Sequence, residues 1–99
     1  MALRVRIEPE AEREVDEIAA YLAGHGPGTL RRFLDKYEEQ LGLLASGSVD
    51  FGLSKMPVLA RLGYHSCHVN SYVMLYFFEG DELVVAHVFH GSQNYSHLV

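Results

Sequence analysis

The sequence holds one cysteine and no tryptophan. One thiol cannot close an intramolecular disulfide, which excludes the stapled secreted mini-proteins and fits a reducing cytoplasm. No apolar run approaches the ~20 residues that a membrane helix needs. The longest, Tyr72 to Phe78, has the length of a strand. The opening MALRVRIEPEAERE turns charged at once and carries no apolar signal-peptide core. Basic charge is also scarce: eight Lys and Arg against thirteen Asp and Glu give −5, with no general basic face for nucleic acid. All eight cations (Arg4, Arg6, Arg13, Arg31, Arg32, Lys36, Lys55, Arg61) precede Leu62. Five of the six histidines (His65, His68, His87, His90, His97) follow it, so the last third gains positive charge only by protonating imidazoles.

What is present suits one domain spanning 1–99, with no repeat and no internal boundary. Leu3-Arg4-Val5-Arg6-Ile7 alternates and predicts a short strand with Leu3, Val5 and Ile7 facing the core. Pro9 suits a first helical turn, and Glu8, Glu10, Glu12 and Glu14 favour that N-terminus. Ala11, Val15, Ile18, Ala19 and Leu22 form a helix stripe, predicting a helix from Pro9 to Ala23 with acids on the opposite, solvated face. Gly24-His25-Gly26-Pro27-Gly28 breaks the chain, and Thr29 is the expected N-cap of a second helix. That helix carries Leu30, Phe33, Leu34, Tyr37, Leu41 and Leu44 and ends near Ser46, with Gly47 as a left-handed cap. Two such helices read as an antiparallel hairpin.

Beyond them Phe51, Leu53 and Met56 are expected core anchors, and Val58 to Leu62 a short strand. Tyr64 to Val69 has the look of a half-exposed edge. Tyr72 to Phe78 and Leu83 to Phe89 are apolar on both faces and should be central strands joined by a tight turn at Glu79-Gly80-Asp81. The expected architecture is α+β, β-α-α-β-β-β, with the helical hairpin packed on an antiparallel sheet. Two-faced apolarity requires cover on both sides of that sheet. The hairpin supplies one; a partner, the tail or the loop after the second helix must supply the other.

Several residues invite chemistry. His65 and Cys67 share a strand face, but His87 and His90, three apart on a strand, point to opposite faces, and no paired metal-ligand spacing exists, so no metal or other cofactor is expected. Cys67 beside His65 and His68 lacks the strand-turn-helix elbow that would present a nucleophile, and reads as a buried structural thiol. The glycine-rich linker joins two helices and loses a donor to Pro27, unlike a phosphate cradle. Arg61, and His90 to Tyr95 just past the last central strand, stand where a sheet ends and a site can form.

In order and spacing the chain resembles the RelE/ParE family of bacterial toxins from type II toxin–antitoxin pairs. The likeness rests on Val5-Arg6-Ile7-Glu8-Pro9-Glu10-Ala11, Ile18-Ala19-Ala20-Tyr21-Leu22, Phe33 with its leucine stripe, Arg61, Tyr72 to Phe77, and His87 to Tyr95. The ending HGSQNY is similar to the ParE-like pattern, with Gln93 and Asn94 where that pattern has Arg-Asp. The resemblance implies a cytoplasmic toxin that binds a cognate antitoxin and inhibits DNA gyrase by contact. Arg61, His90, Gln93, Asn94 and Tyr95 would be its partner-binding residues, in a homodimer or a toxin–antitoxin hetero-oligomer. The alternatives are a RelE-like endoribonuclease that cuts messenger RNA on the ribosome, with Arg61, His90 and Tyr95 as catalytic residues, or a family member with weak or lost toxicity. Such cleavage needs a base, an acid and a cation for the phosphorane charge. Arg61 is the only permanent cation among the family's positions on the last three strands, which favours contact.

Overall fold

Pro9 ends strand β1 (Arg4–Ile7) and opens helix α1 (Pro9–Ala23) in one step, because its fixed φ suits a first turn and its missing N–H has no partner to lose there. The structure, a computed structural model, describes residues 2–47 and 49–91. Helix α2 (Pro27–Ala45) begins two residues before Thr29. Pro27 takes its first turn, Gly26 turns the chain at φ 106°, and the Thr29 hydroxyl donates back to the His25 carbonyl instead of capping. The expected five-residue linker is therefore a three-residue one. Gly47 closes α2 at φ 79°, the left-handed conformation expected of it.

Residues 58–62 are not a strand. Pro57–Arg61 forms a short helix, α3, with Gly63 at φ 90° after it. Proline at the front and a left-handed glycine behind favour one helical turn over extension. The remaining elements are β2 (His65–Val69), β3 (Tyr72–Glu79) and β4 (Glu82–His90). The sheet order is β1-β4-β3-β2, so β3 and β4 are the central strands, with Tyr76 and Val85 fully buried. β2, β3 and β4 form an antiparallel meander, whereas β1 joins β4 in parallel. The sheet is thus mixed. Val5 stays 43% exposed between the partly buried Leu3 and Ile7, since β1 is an edge strand.

Each face of the sheet has its own cover. Helices α1 and α2 pack Ala11, Leu22, Phe33, Tyr37 and Leu44 against Tyr72, Met74, Tyr76, Leu83, Val85 and Val88. On the other side Leu59 of α3, with Met56 and Tyr64, covers Val73, Leu75 and Phe89. The segment after α2 thus supplies the second cover that two-faced apolarity demanded. Of its three expected anchors, Met56 packs inward, but Phe51 and Leu53 are 43% and 56% exposed.

The edge strand β2 is blunted by its surroundings. Ser66 donates its N–H to Gly52 at 3.1 Å, and buried Gln40 of α2 donates its amide to the His68 carbonyl at 2.9 Å. Little unpaired backbone is left there to template aggregation.

Candidate partner-binding site

β1 is four residues long, and its ladder with β4 ends where the Glu8 N–H meets the Val85 carbonyl at 2.9 Å. A bulge near Ala86 then shifts the register against β3. Past it the Val88 N–H points off the sheet and finds the Glu14 carboxylate of α1 at 3.1 Å. The same carboxylate lies 3.2 Å from His87 Nδ1. Because a carboxylate only accepts, Nδ1 carries the proton. Both side chains are 13% exposed, so this couple, and not the acidic face around it, is part of the interior.

Beside it lies a cleft of about 440 Å³ between α1 and the end of β4, lined by Arg13, Glu14, Glu17, Ile18, Tyr21 and Tyr72 with Val88 to His90. Its floor holds Tyr72 edge-on to His90, with ring centres 5.3 Å apart. Burial, and then Tyr21 nearby, push the Tyr72 hydroxyl above its ordinary pKa. Arg13 is closed between Glu10 at 2.7 Å and Glu17 at 2.6 Å. The cleft offers aromatic and apolar contact with its one guanidinium already neutralised.

His90 is thus part of this cleft. Arg61 is not: it ends α3, on the face opposite to the one that His90 shares with Tyr72. The two do not meet. Gln93, Asn94 and Tyr95 lie outside the described residues. His87 pairs in register with Leu75 and His90 with Tyr72, on opposite faces of the sheet as the spacing requires. Burial pushes the Cys67 thiol up to about 12, so it is no nucleophile at neutral pH. Among the described residues no group of three His, Cys, Asp or Glu is arranged to hold a metal ion.

A second polar cluster ties the segment after α2 to the sheet. Asp50 accepts hydrogen bonds from the Tyr76 hydroxyl at 2.9 Å, His65 Nδ1 at 3.0 Å and the Gly52 N–H at 2.9 Å. The Tyr76 hydroxyl in turn accepts the Phe51 N–H at 3.0 Å. Partial burial works against charge on Asp50, but its three donors outweigh that and hold its pKa below the usual carboxylate value. Burial first, then Asp50, drives the Tyr76 hydroxyl well above its ordinary value.

Glu14, Gln40 and Asp50 were not singled out by sequence. Only Glu14 left a signal: its spacing from Ala11 and Ile18 places it on the flank of the apolar stripe.

Residues 5–95 match the family described as the ParE toxin of type II toxin–antitoxin system, parDE. The fold is similar to that in a solved structure of the chromosomal ParDE system of P. aeruginosa, at TM-score 0.68 and 15% identity, over 90% of this chain and 96% of that one. A copper-bound mutant toxin from Helicobacter pylori aligns at TM-score 0.61 and 15% identity, over 91% of this chain and 96% of that one. A conserved hypothetical protein from the same organism gives 0.54 and 18%, over 92% and 97%. No curated protein matches the sequence.

Proposed function

The chain belongs to the ParE toxin family of type II toxin–antitoxin systems, and from that premise we propose that it inhibits DNA gyrase by contact and is restrained by a cognate antitoxin. One observation carries the contact reading: among the described residues, the cleft that His90 borders is lined by a single permanent cation, Arg13, and that one is already paired. Arg13 is held by two carboxylates, and Arg61 lies across the sheet. Cleavage of a phosphodiester needs a cation beside its acid and base to meet the developing charge. Contact with a protein needs only shape and apolar area, which the cleft offers.

In this reading 1–99 acts as one domain. Arg61, His90, Gln93, Asn94 and Tyr95 meet partners, and an extended or amphipathic antitoxin segment lies along the α1–α2 hairpin and the cleft beside His90. Among the described residues no helix is long and apolar enough to cross a membrane. Action in the cytoplasm, where gyrase works, accords with that.

Expression of the chain alone in bacteria decides the mechanism. DNA breaks with an SOS response are expected, suppressed by co-expressed antitoxin. Cut messenger RNA, abolished by Arg61→Ala with the fold intact, would establish the ribonuclease reading instead.

A further inference from the structure

The charge of this protein is strongly segregated. All thirteen Asp and Glu residues lie at or before Asp50 or at or after Glu79. The intervening stretch builds the 51–56 segment, α3, β2 and most of β3, and its cations are Lys55 and Arg61. Among the described residues neither of those two forms an ion pair, and neither do Arg31 and Arg32 of α2, whereas Arg4, Arg6, Arg13 and Lys36 all do.

Exposed apolar side chains crowd into the same stretch. Among the described residues eight large hydrophobic ones are exposed, and Phe51, Leu53, Val58 and Leu62 are four of them within twelve positions. Val58, Arg61 and Leu62 are spaced i, i+3 and i+4, so they share the outer face of α3, while Leu59 is buried beneath. Phe51, Leu53 and Lys55 border a groove of about 300 Å³ against Ser66 and His68 of β2. Its borders carry no carboxylate. The segment is held in place by the Asp50 cluster, by the Ser54 N–H on the Tyr64 carbonyl at 2.9 Å and by a Leu53–His65 bridge. Side chains held out by a fixed backbone lose little freedom on binding.

We propose that Phe51, Leu53, Lys55, Val58, Arg61 and Leu62 form a docking surface for an acidic, apolar segment of a protein partner. Two lysine and arginine charges are too few for nucleic acid, where specific binders neutralise about 6–10 phosphates. Four exposed hydrophobic residues and two cations without ion pairs, all within twelve positions, suit instead an apolar contact fixed in register by carboxylates. The proposal rests on the reading that this protein works by contact, and it assigns Arg61 a place within that contact.

The test is a titration of the labelled full chain with an acidic leucine–glutamate helical peptide, a matched leucine–lysine peptide and a single-stranded RNA, followed by amide shifts. Expected are shifts confined to 51–62 and β2 with the acidic peptide, and binding about tenfold weaker for the lysine peptide. Lys55→Glu with Arg61→Glu, and separately Leu62→Ser, should each weaken the acidic peptide about tenfold. Arg4→Glu on β1 should leave it unchanged. No binding, equal binding of both peptides, preference for RNA, or shifts mapping to the cleft beside His90 would each overturn the proposal. The titration contains no gyrase, so it can fail while gyrase inhibition stands, and the reverse.

Discussion

The Glu14 carboxylate of α1 takes the Val88 N–H of β4 at 3.1 Å, standing in the ladder where β1 would be had it not ended at Ile7. It solves the problem that a short edge strand creates: half of a central strand is left without a neighbour, and its inward-lying N–H needs an acceptor. The carboxylate also fixes the His87 ring, so one side chain joins α1 to two consecutive residues of β4.

Removing that side chain exposes the Val88 N–H to whatever water can reach it. Glu14→Ala should lower stability by about 2 kcal/mol, the usual cost of stranding a buried donor. Glu14→Gln should cost about half as much, since the amide oxygen still accepts. Urea denaturation would show a lower midpoint at unchanged slope in both. An unmoved midpoint in Glu14→Ala would mean that water replaces the carboxylate without penalty.

The Tyr76 hydroxyl accepts from the Phe51 N–H and donates to Asp50 at the root of the exposed segment. Tyr76→Phe keeps the ring and its contacts but breaks both bonds. The expected loss is about 1–2 kcal/mol, with faster hydrogen exchange concentrated at Phe51 and Gly52. Uniformly faster exchange would instead show that the hydroxyl stabilises the whole fold and not this attachment.

The sequence announces those features that local pattern controls. Tyr72 to Phe78 and Leu83 to Phe89 are apolar at odd and even positions alike, which only a doubly covered strand tolerates, and they are the two central strands. Pro9 to Ala23 matched its helix end for end because proline and glycine bracket a clean stripe. Val58 to Leu62 misled because five mostly aliphatic residues suit one helical turn as well as a strand, and there the flanking Pro57 and Gly63 decide. Phe51 and Leu53 misled because hydrophobicity says nothing about which loop residues find room inside. The parallel entry of β1 has no local signature, as it depends on where the chain returns after both helices. Of the candidate cleft, the sequence drew attention to His90, which it placed just past the last central strand and which is the last residue of β4. Glu14 was hidden by composition among Glu8, Glu10, Glu12, Asp16 and Glu17, and only its spacing from Ala11 and Ile18 sets it apart from those solvated neighbours.

Cys67 gives a probe of opening. Its thiol is buried against the helices and its pKa is pushed up to about 12. Burial thus keeps the thiol protonated at pH 8, and thiolate is the reactive form. A disulfide reagent should therefore modify the folded chain only through opening, at a rate that follows denaturant and not reagent concentration once reagent is in excess. Rapid modification under native conditions would place the thiol at the surface.

Asp50 makes stability depend on pH in a defined direction. Its folded pKa is depressed, so the stability it contributes is present above the unfolded value of about 3.9 and is lost as pH falls through the lower folded value. Protonation removes the negative charge that strengthens the bonds from the Tyr76 hydroxyl, the His65 ring and the Gly52 N–H, all of which meet Oδ1. The Asp50 side chain is 45% exposed, so screening keeps its contribution near about 1 kcal/mol. Wild type should therefore exceed Asp50→Asn by about that margin at pH 7, with the gap closing below about pH 4. Thermal or urea unfolding of both proteins across that range measures it. A gap that widens on acidification would mean that the carboxylate is strained in the folded state, and that the segment bearing Phe51 and Leu53 is held by its backbone bonds alone.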